Sequence, residues 1–190
     1  MKNKAEQIIQ SISEQLKTPS EIIQENAPKG ITIIDERDGN RYRFTKIGDL
    51  WWCTENLRYL PEVSQNELKN EPRYYVYDYE GNDVTAAKAT ANYSNYGVLY
   101  NWEAAMQSCP LGTRLPTDDE WQELIDYYGG NNVAGEALKM KEFNALMGGY
   151  RNPYGSFCNL DMASFWSSTE SSSTDAWKRS LYSSETGVGR

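Results

Sequence analysis

The first 27 residues carry a hydrophobic pattern that differs from the rest of the chain. Apolar side chains recur there at steps of three and four residues, so they share one face of a predicted helix. Thr18 and Pro19 end this helix, and a second short helix is predicted from Ser20 to Glu25. The stripe is too short to be stable alone, so it packs either on its own domain or on another chain. Its members are Ala5, Ile8, Ile9, Ile12 and Leu16.

From Ile31 onward the pattern becomes that of strands. Residues 31–35 and 41–47 flank an Asp-Gly turn at Asp38 and Gly39, which predicts a β-hairpin. Leu50 to Cys53 predicts another short strand. The polar stretch 62–91 predicts a long irregular excursion that contains a strand candidate at 74–77.

Two helices are predicted in the middle of the chain. One runs from Trp102 to Ser108 and ends before Cys109-Pro110. The other starts after Thr117, which stands three residues before Glu120 in the spacing of a capping box. We expect Trp121, Leu124 and Ile125 to form its buried face, and Gly129-Gly130 to stop it.

The C-terminal part returns to strands, at 165–169 and 176–182. Side chains alternate between the two faces of a strand, so the second strand presents different residues on each side. One face consists of Ala176, Lys178, Ser180 and Tyr182, and the other of Trp177, Arg179 and Leu181.

Length and charge limit the function. A chain of 190 residues fits one domain and an appendage. The net charge of −8 disfavours nucleic acid as a partner. We expect neither a membrane span nor a signal peptide, and therefore synthesis in the cytoplasm, with a phage particle or a surface as candidate destinations.

Histidine is absent from the chain, which removes the usual base of nucleophilic catalysis and the commonest metal ligand. Cys53, Cys109 and Cys158 are an odd number of widely spaced cysteines, a pattern that favours neither a zinc site nor a full disulfide framework. We therefore expect no enzymatic activity, no cofactor and no bound metal.

Several phrases occur together and in order from about residue 35 to 190. They resemble the Fibrobacter succinogenes major paralogous domain. These phrases are Asp38-Gly39-Asn40, Trp51-Trp52, Glu55-Asn56-Leu57, Gly97 to Trp102, Cys109 to Thr117 with Glu120-Trp121, Gly148 to Arg151, and Phe165 to Glu170.

The resemblance implies an α+β, C-type lectin-like fold with short twisted antiparallel strands, two main helices and long irregular loops. It divides the chain into an N-terminal helical appendage and linker, residues 1–29, and a domain, residues 30–190. On this resemblance we expect the domain to lack the last strand of the family pattern, whose cysteine could pair with Cys109. The fold is related to the formylglycine-generating enzymes, but Cys158 has no neighbouring cysteine with which to hold copper, so that activity is not expected.

The segment after Trp166 resembles the variable region of proteins diversified by retroelements. Its Ser, Thr, Asp, Tyr and Gly positions match substitutions at the adenines of asparagine codons; Lys178 and Glu185 do not. We expect a scaffold of Trp166, Trp177, Arg179 and Leu181. The expected ligand-binding face comprises Ser171, Ser172, Thr174, Asp175, Lys178, Ser180, Tyr182, Ser183, Ser184, Glu185, Thr186, Gly187 and Gly189.

The resemblance thus implies a non-enzymatic protein that binds a protein or cell-surface ligand through an adaptable face. Two alternatives remain open. The chain is an undiversified surface or structural paralogue with a merely solvated terminal segment, or an enzyme of the formylglycine-generating type. A homo-oligomer formed through residues 1–27 is a further hypothesis.

Overall fold

The computed structural model describes residues 30–66 and 70–190. In these ranges the strands are β1 (Gly30–Ile34), β2 (Arg41–Ile47), β3 (Leu50–Cys53), β4 (Tyr74–Tyr75), β5 (Leu99–Tyr100), β6 (Tyr150–Arg151), β7 (Phe157–Cys158), β8 (Met162–Glu170) and β9 (Ala176–Tyr182). The helices are α1 (Val84–Lys88), α2 (Ala91–Tyr96), α3 (Trp102–Ser108), α4 (Asp118–Tyr127) and α5 (Ala134–Met140). The predicted N-terminal helices lie outside the described residues.

The named strands of the described residues pair in small antiparallel sheets. β1, β2 and β3 form a three-stranded sheet, and the remaining strands pair as β4 with β5, β6 with β7 and β8 with β9. The predicted mixed α and β composition with short antiparallel strands is therefore confirmed. The β8–β9 hairpin is the longest pairing, and its register is interrupted between Trp166 and Glu170.

The first hairpin follows directly from its sequence. Tyr42 and Phe44 are buried while Arg41 and Arg43 are exposed, which is the alternation that the pattern predicts. Gly39 closes the turn with a φ of 75°, a conformation that costs glycine little. The predicted hairpin is confirmed.

The helices were predicted only in part. α3 and α4 occur where expected, and α4 begins with the predicted capping box between Thr117 and Glu120. By contrast, α1, α2 and α5 lie where no helix was predicted. All three are short, and α1 and α2 are capped by Asp83 and Thr90 rather than marked by an apolar stripe.

Two apolar clusters form the core. The larger one joins α4 and α5 to the β8–β9 hairpin, and Trp52 meets Trp121 at its centre with ring centroids 5.1 Å apart. The smaller one gathers the middle stretch, around Leu60, Val76 and Val98. The segment predicted to be an irregular excursion is therefore a packed part of the domain.

Candidate functional site

A large cleft of about 1220 Å³ crosses the domain and reaches the β8–β9 hairpin. It exceeds the roughly 300–1,000 Å³ of typical small-molecule sites. Its lining mixes aromatic with polar side chains, which suits a ligand that has both apolar and hydrogen-bonding groups. Those on and facing the hairpin include Tyr100, Trp102, Tyr150, Trp166, Asp175 and Lys178.

The hairpin is held at the cleft by hydrogen bonds to the backbone of β8. The indole N–H of Trp121 donates to the carbonyl of Trp166 at 3.2 Å, and that of Trp102 to the carbonyl of Ser167 at 2.9 Å. Both carbonyls belong to the stretch where the β8–β9 register is interrupted. The indoles thus satisfy backbone groups that would otherwise be left unpaired by that irregularity.

A second set of bonds joins the same stretch to the start of α4. The Ser168 amide donates to the carbonyl of Pro116 at 2.8 Å, and the Asp118 amide donates to Thr169 Oγ1 at 3.0 Å. The segments Arg114–Trp121 and Phe165–Glu170 are therefore in direct contact in the folded domain. These contacts give both phrases a structural role.

A buried ion pair fixes β9 from the other side. Arg179 and Asp118 are 2% and 6% exposed, and Arg179 Nη2 lies 2.7 Å from Asp118 Oδ1. Arg190 adds a second cation, 2.8 Å from Asp118 Oδ2, while its guanidinium stacks 3.8 Å from the centroid of Trp177. Burial lowers the pKa of Arg179, and the attraction of Asp118 opposes that shift.

A surface ion pair stands at the rim of the cleft. Arg114 Nη1 donates to Glu120 Oε2 at 2.8 Å, and the Thr117 amide donates to the same oxygen at 2.8 Å. These bonds, the Arg114 bond foremost, lower the pKa of Glu120 to about 2. Glu120 is therefore ionised at neutral pH and anchors the helix start rather than acting as an acid.

Two thiols that line the cleft have a raised pKa. Burial raises the pKa of Cys53 and of Cys109 to about 11. A cysteine nucleophile must be a thiolate, so burial disfavours nucleophilic chemistry at these two residues. Within the described residues, no three or more Asp, Glu, Cys or His side chains cluster as a metal site requires.

The predicted ligand-binding face is divided between the two ends of β9. Residues 171–175, the hairpin loop, precede the strand, and residues 183–187, the terminal turn, follow it. A strand of seven residues is about 20 Å long, so the two segments are well separated. Ser172, Thr174, Asp175 and Lys178 line the cleft; Ser171 and the predicted residues from Ser180 onward do not.

The structure corrects the expected exposure of one residue. Ser180 was predicted on the open face of β9, but it is 8% exposed. Its hydroxyl lies 3.5 Å from that of Ser164 on β8, and Gly189 pairs with its backbone from the opposite edge. Ser180 is therefore enclosed between two neighbouring segments and cannot contact a ligand as a surface residue.

The other predicted residues lie at or near the surface. Tyr182 and Gly187 are partly buried, and the rest of the predicted face is exposed. On the scaffold side, Arg179 and Leu181 are buried, whereas Trp177 and Trp166 are partly buried. The expected division into a buried and an exposed set thus agrees with the structure at most positions.

Sequence reasoning missed the residues that other elements bring to this region. Tyr100, Trp102 and Tyr150 line the cleft from β5, α3 and β6, far away along the chain. Lys139 on α5 contacts the terminal turn. Tyr150 belongs to a phrase that was noted only as a family signature, and no local pattern distinguishes Lys139 from a solvated lysine.

Fold and site together define a mixed α and β domain that presents its C-terminal hairpin beside a wide cleft. The sequence matches the Fibrobacter succinogenes major domain over residues 45–189. The chain therefore belongs to this family. No curated protein and no solved structure is significantly similar to it. None of the helices in the described ranges has the length and apolarity that crossing a bilayer requires.

Proposed function

We propose that this chain is a non-enzymatic ligand-binding protein with a C-type lectin-like scaffold, and that its terminal segment is a diversified contact surface. The observation that carries the proposal is the position of the hairpin. Ser172, Thr174 and Lys178 border the cleft, while Arg179 and Leu181 anchor the same hairpin in the interior. Side chains at these three exposed positions can therefore change without disturbing the buried residues of the hairpin.

The composition of this surface supports a protein or cell-surface ligand. Small hydroxyl side chains of the hairpin loop and aromatic rings line the same cleft, a combination that adaptable contact surfaces use. The non-enzymatic part of the proposal is supported by Cys53 and Cys109, which are protonated thiols at neutral pH. Nucleophilic catalysis by either one would require the thiolate.

A display experiment tests ligand binding. One library varies Ser172, Thr174 and Lys178, and a control library varies the exposed residues Lys46 and Asp119, which lie outside the cleft lining. Both are selected against one immobilised protein chosen in advance. We expect binders from the first library well above the frequency in the control, and equal frequencies would contradict the proposal.

Sequencing the genomic locus tests diversification separately. The proposal requires a reverse transcriptase gene and a near-identical, adenine-rich template copy of the segment nearby. If neither is found, the diversified function is wrong, whatever the display experiment shows.

A second candidate function is an undiversified surface or structural paralogue. One observation favours it: the side chains of the hairpin loop bond to each other. Thr174 Oγ1 donates to Asp175 Oδ2 at 2.8 Å, and Ser172 Oγ lies 3.3 Å from the same oxygen. A loop shaped by specific side chains tolerates change less well. Related copies in one genome that vary no more here than elsewhere would support this candidate.

Copper titration tests the remaining enzymatic alternative. A formylglycine-generating activity would require copper binding that is lost in Cys158→Ser. We expect no specific copper binding by the unmodified chain, and a stoichiometric site that depends on Cys158 would overturn the non-enzymatic proposal.

A further inference from the structure

The terminal turn is held through its backbone. The Gly135 amide on α5 donates to the carbonyl of Thr186 at 2.8 Å, and the Val188 amide donates to the carbonyl of Asn131 at 2.8 Å. At the start of the turn, the Ser183 amide donates to the carbonyl of Asp161 at 2.8 Å. Main-chain bonds of this kind form with almost any side chain at the residues concerned.

Lys139 supplies the central contact. Its Nζ lies 2.8 Å from the carbonyl oxygen of Tyr182, 3.2 Å from that of Ser183 and 2.6 Å from that of Glu185. An ammonium group has three donors, and here one meets the last carbonyl of β9 and two meet carbonyls of the terminal turn. Bonds to a charged donor are stronger than neutral ones, so this residue contributes more than an ordinary cap.

Close backbone packing completes the contact between α5 and the turn. A Cβ atom at Gly135 would collide with the carbonyl oxygen of Gly187. The missing side chain at Gly135 therefore lets the helix backbone approach the turn closely enough for the bond to Thr186.

The side chains at the tip of the turn take no part in these contacts. Ser183, Ser184 and Glu185 are exposed, and among the described residues their side chains make no hydrogen bond or ion pair. Thr186 differs, because its hydroxyl donates to the carbonyl of Asn132 at 3.0 Å. Three adjacent side chains are thus displayed on a backbone that other elements hold.

We propose that Lys139 is a positioning residue that fixes the backbone of residues 183–185 independently of their side chains, which makes this part of the turn a second contact surface of constant shape. The inference rests on the proposed function, because such a turn can be varied for binding without refolding. It separates the two ends of β9: the shape of the hairpin loop depends on its own side chains, and the shape of the terminal turn does not.

Amide hydrogen exchange of the full chain without ligand tests this inference. In Lys139→Met, which keeps the length of the side chain but removes its donors, we expect the Gly135 and Val188 amides to exchange about tenfold faster, as the loss of a charge-assisted bond implies. Amides in β2 should be unaffected. Lys139→Arg, which keeps a charged donor, should restore most of the protection.

The complementary variant replaces Ser183, Ser184 and Glu185 by alanine together. We expect exchange at Gly135 and Val188 to stay within about twofold of the unmodified chain, since no contact is lost. Lys46→Met, an exposed lysine on β2, is the matched control for removal of one charge.

Two results would overturn the inference: unchanged exchange in Lys139→Met, or acceleration by the triple alanine variant as large as that expected of Lys139→Met. The triple variant decides the question even if Lys139→Met does not fold. Because no ligand is present, failure here is distinguishable from a failure of ligand binding in the display experiment.

Discussion

At the residue scale, the most consequential group is the carboxylate of Asp118. This carboxylate is buried and forms ion pairs with Arg179 and Arg190. The backbone amide of the same residue donates a hydrogen bond to Thr169. One side chain thus connects the start of α4 with β9 and the last residue described. A buried charge that loses its partner is costly, so this position should be sensitive even to a nearly isosteric change.

We expect Asp118→Asn to lower the free energy of unfolding by about 2 to 4 kcal/mol, because it leaves the buried Arg179 without a counter-charge. Chemical denaturation measures this. Asp119→Asn is the matched control, since Asp119 is adjacent but exposed and should change stability by less than about 0.5 kcal/mol. Similar losses in both variants would contradict the role assigned to the ion pair.

The lowered pKa of Glu120 predicts how the stability of the fold depends on pH. Its folded pKa of about 2 lies below its ordinary value of 4.5, so the stability it contributes is present above pH 4.5 and is lost as the pH falls toward 2. Because its partner Arg114 is 64% exposed, solvent screening limits this contribution to about 1 kcal/mol. Urea unfolding at several pH values should show a shallower acid dependence in Glu120→Gln. An unchanged dependence would contradict the assignment.

At the scale of elements, the β8–β9 hairpin has a firmly bound middle part, and the segments at the two ends of β9 are held in different ways. Trp121 and Trp102 bind the irregular part of β8 through its carbonyls. The hairpin loop is held by hydrogen bonds between its own hydroxyl and carboxylate groups. The backbone of the terminal turn is held by contacts with α5. The conformation at one end of β9 therefore depends on the side chains of the loop itself, and the conformation at the other end depends on contacts with another helix.

The hairpin loop should loosen when one of its hydroxyls is removed. In Thr174→Val the side chain keeps its shape but loses the bond to Asp175, so we expect amides 171 and 172 to exchange about fivefold faster. Ser184→Ala in the terminal turn, where no side-chain bond is lost, should have no such effect on its own segment. Equal responses of the two segments would argue against the contrast between them.

At the scale of the whole molecule, the described residues build two apolar clusters from different elements: one from β2, β3, α4, α5 and the β8–β9 hairpin, and one from the middle stretch with α1 and α3. The cleft runs across this domain and is lined by elements from β1 to β9. Residues 1–29 precede this arrangement directly at Gly30. Their predicted apolar stripe is a candidate for assembly with a second copy.

The oligomerisation hypothesis predicts that the full chain sediments with at least twice the mass of a variant that lacks residues 1–27. The physical reason is that the stripe from Ala5 to Leu16 is too short to be stable without a partner surface. If both proteins sediment with the same number of chains per particle, this would instead favour packing of the stripe on its own domain.

Local signals in the sequence determined much of this protein. The Asp38-Gly39 turn, the Thr117 and Glu120 capping box and the alternation in β2 depend on residues close together in the chain, so the elements they specify could be predicted. The helices α1, α2 and α5 escaped prediction because they are short and their local patterns are weak.

Only the tertiary structure decided how the terminal segment is used. The sequence indicated which residues of β9 alternate, but the pairing with Gly189 and Ser164 encloses Ser180, and Lys139 reaches the terminal turn from another helix. These contacts join residues distant in the chain, and those of Lys139 are made to backbone carbonyls. Every residue carries such a carbonyl, so the sequence of the turn does not indicate the contact. Only the three-dimensional packing reveals it.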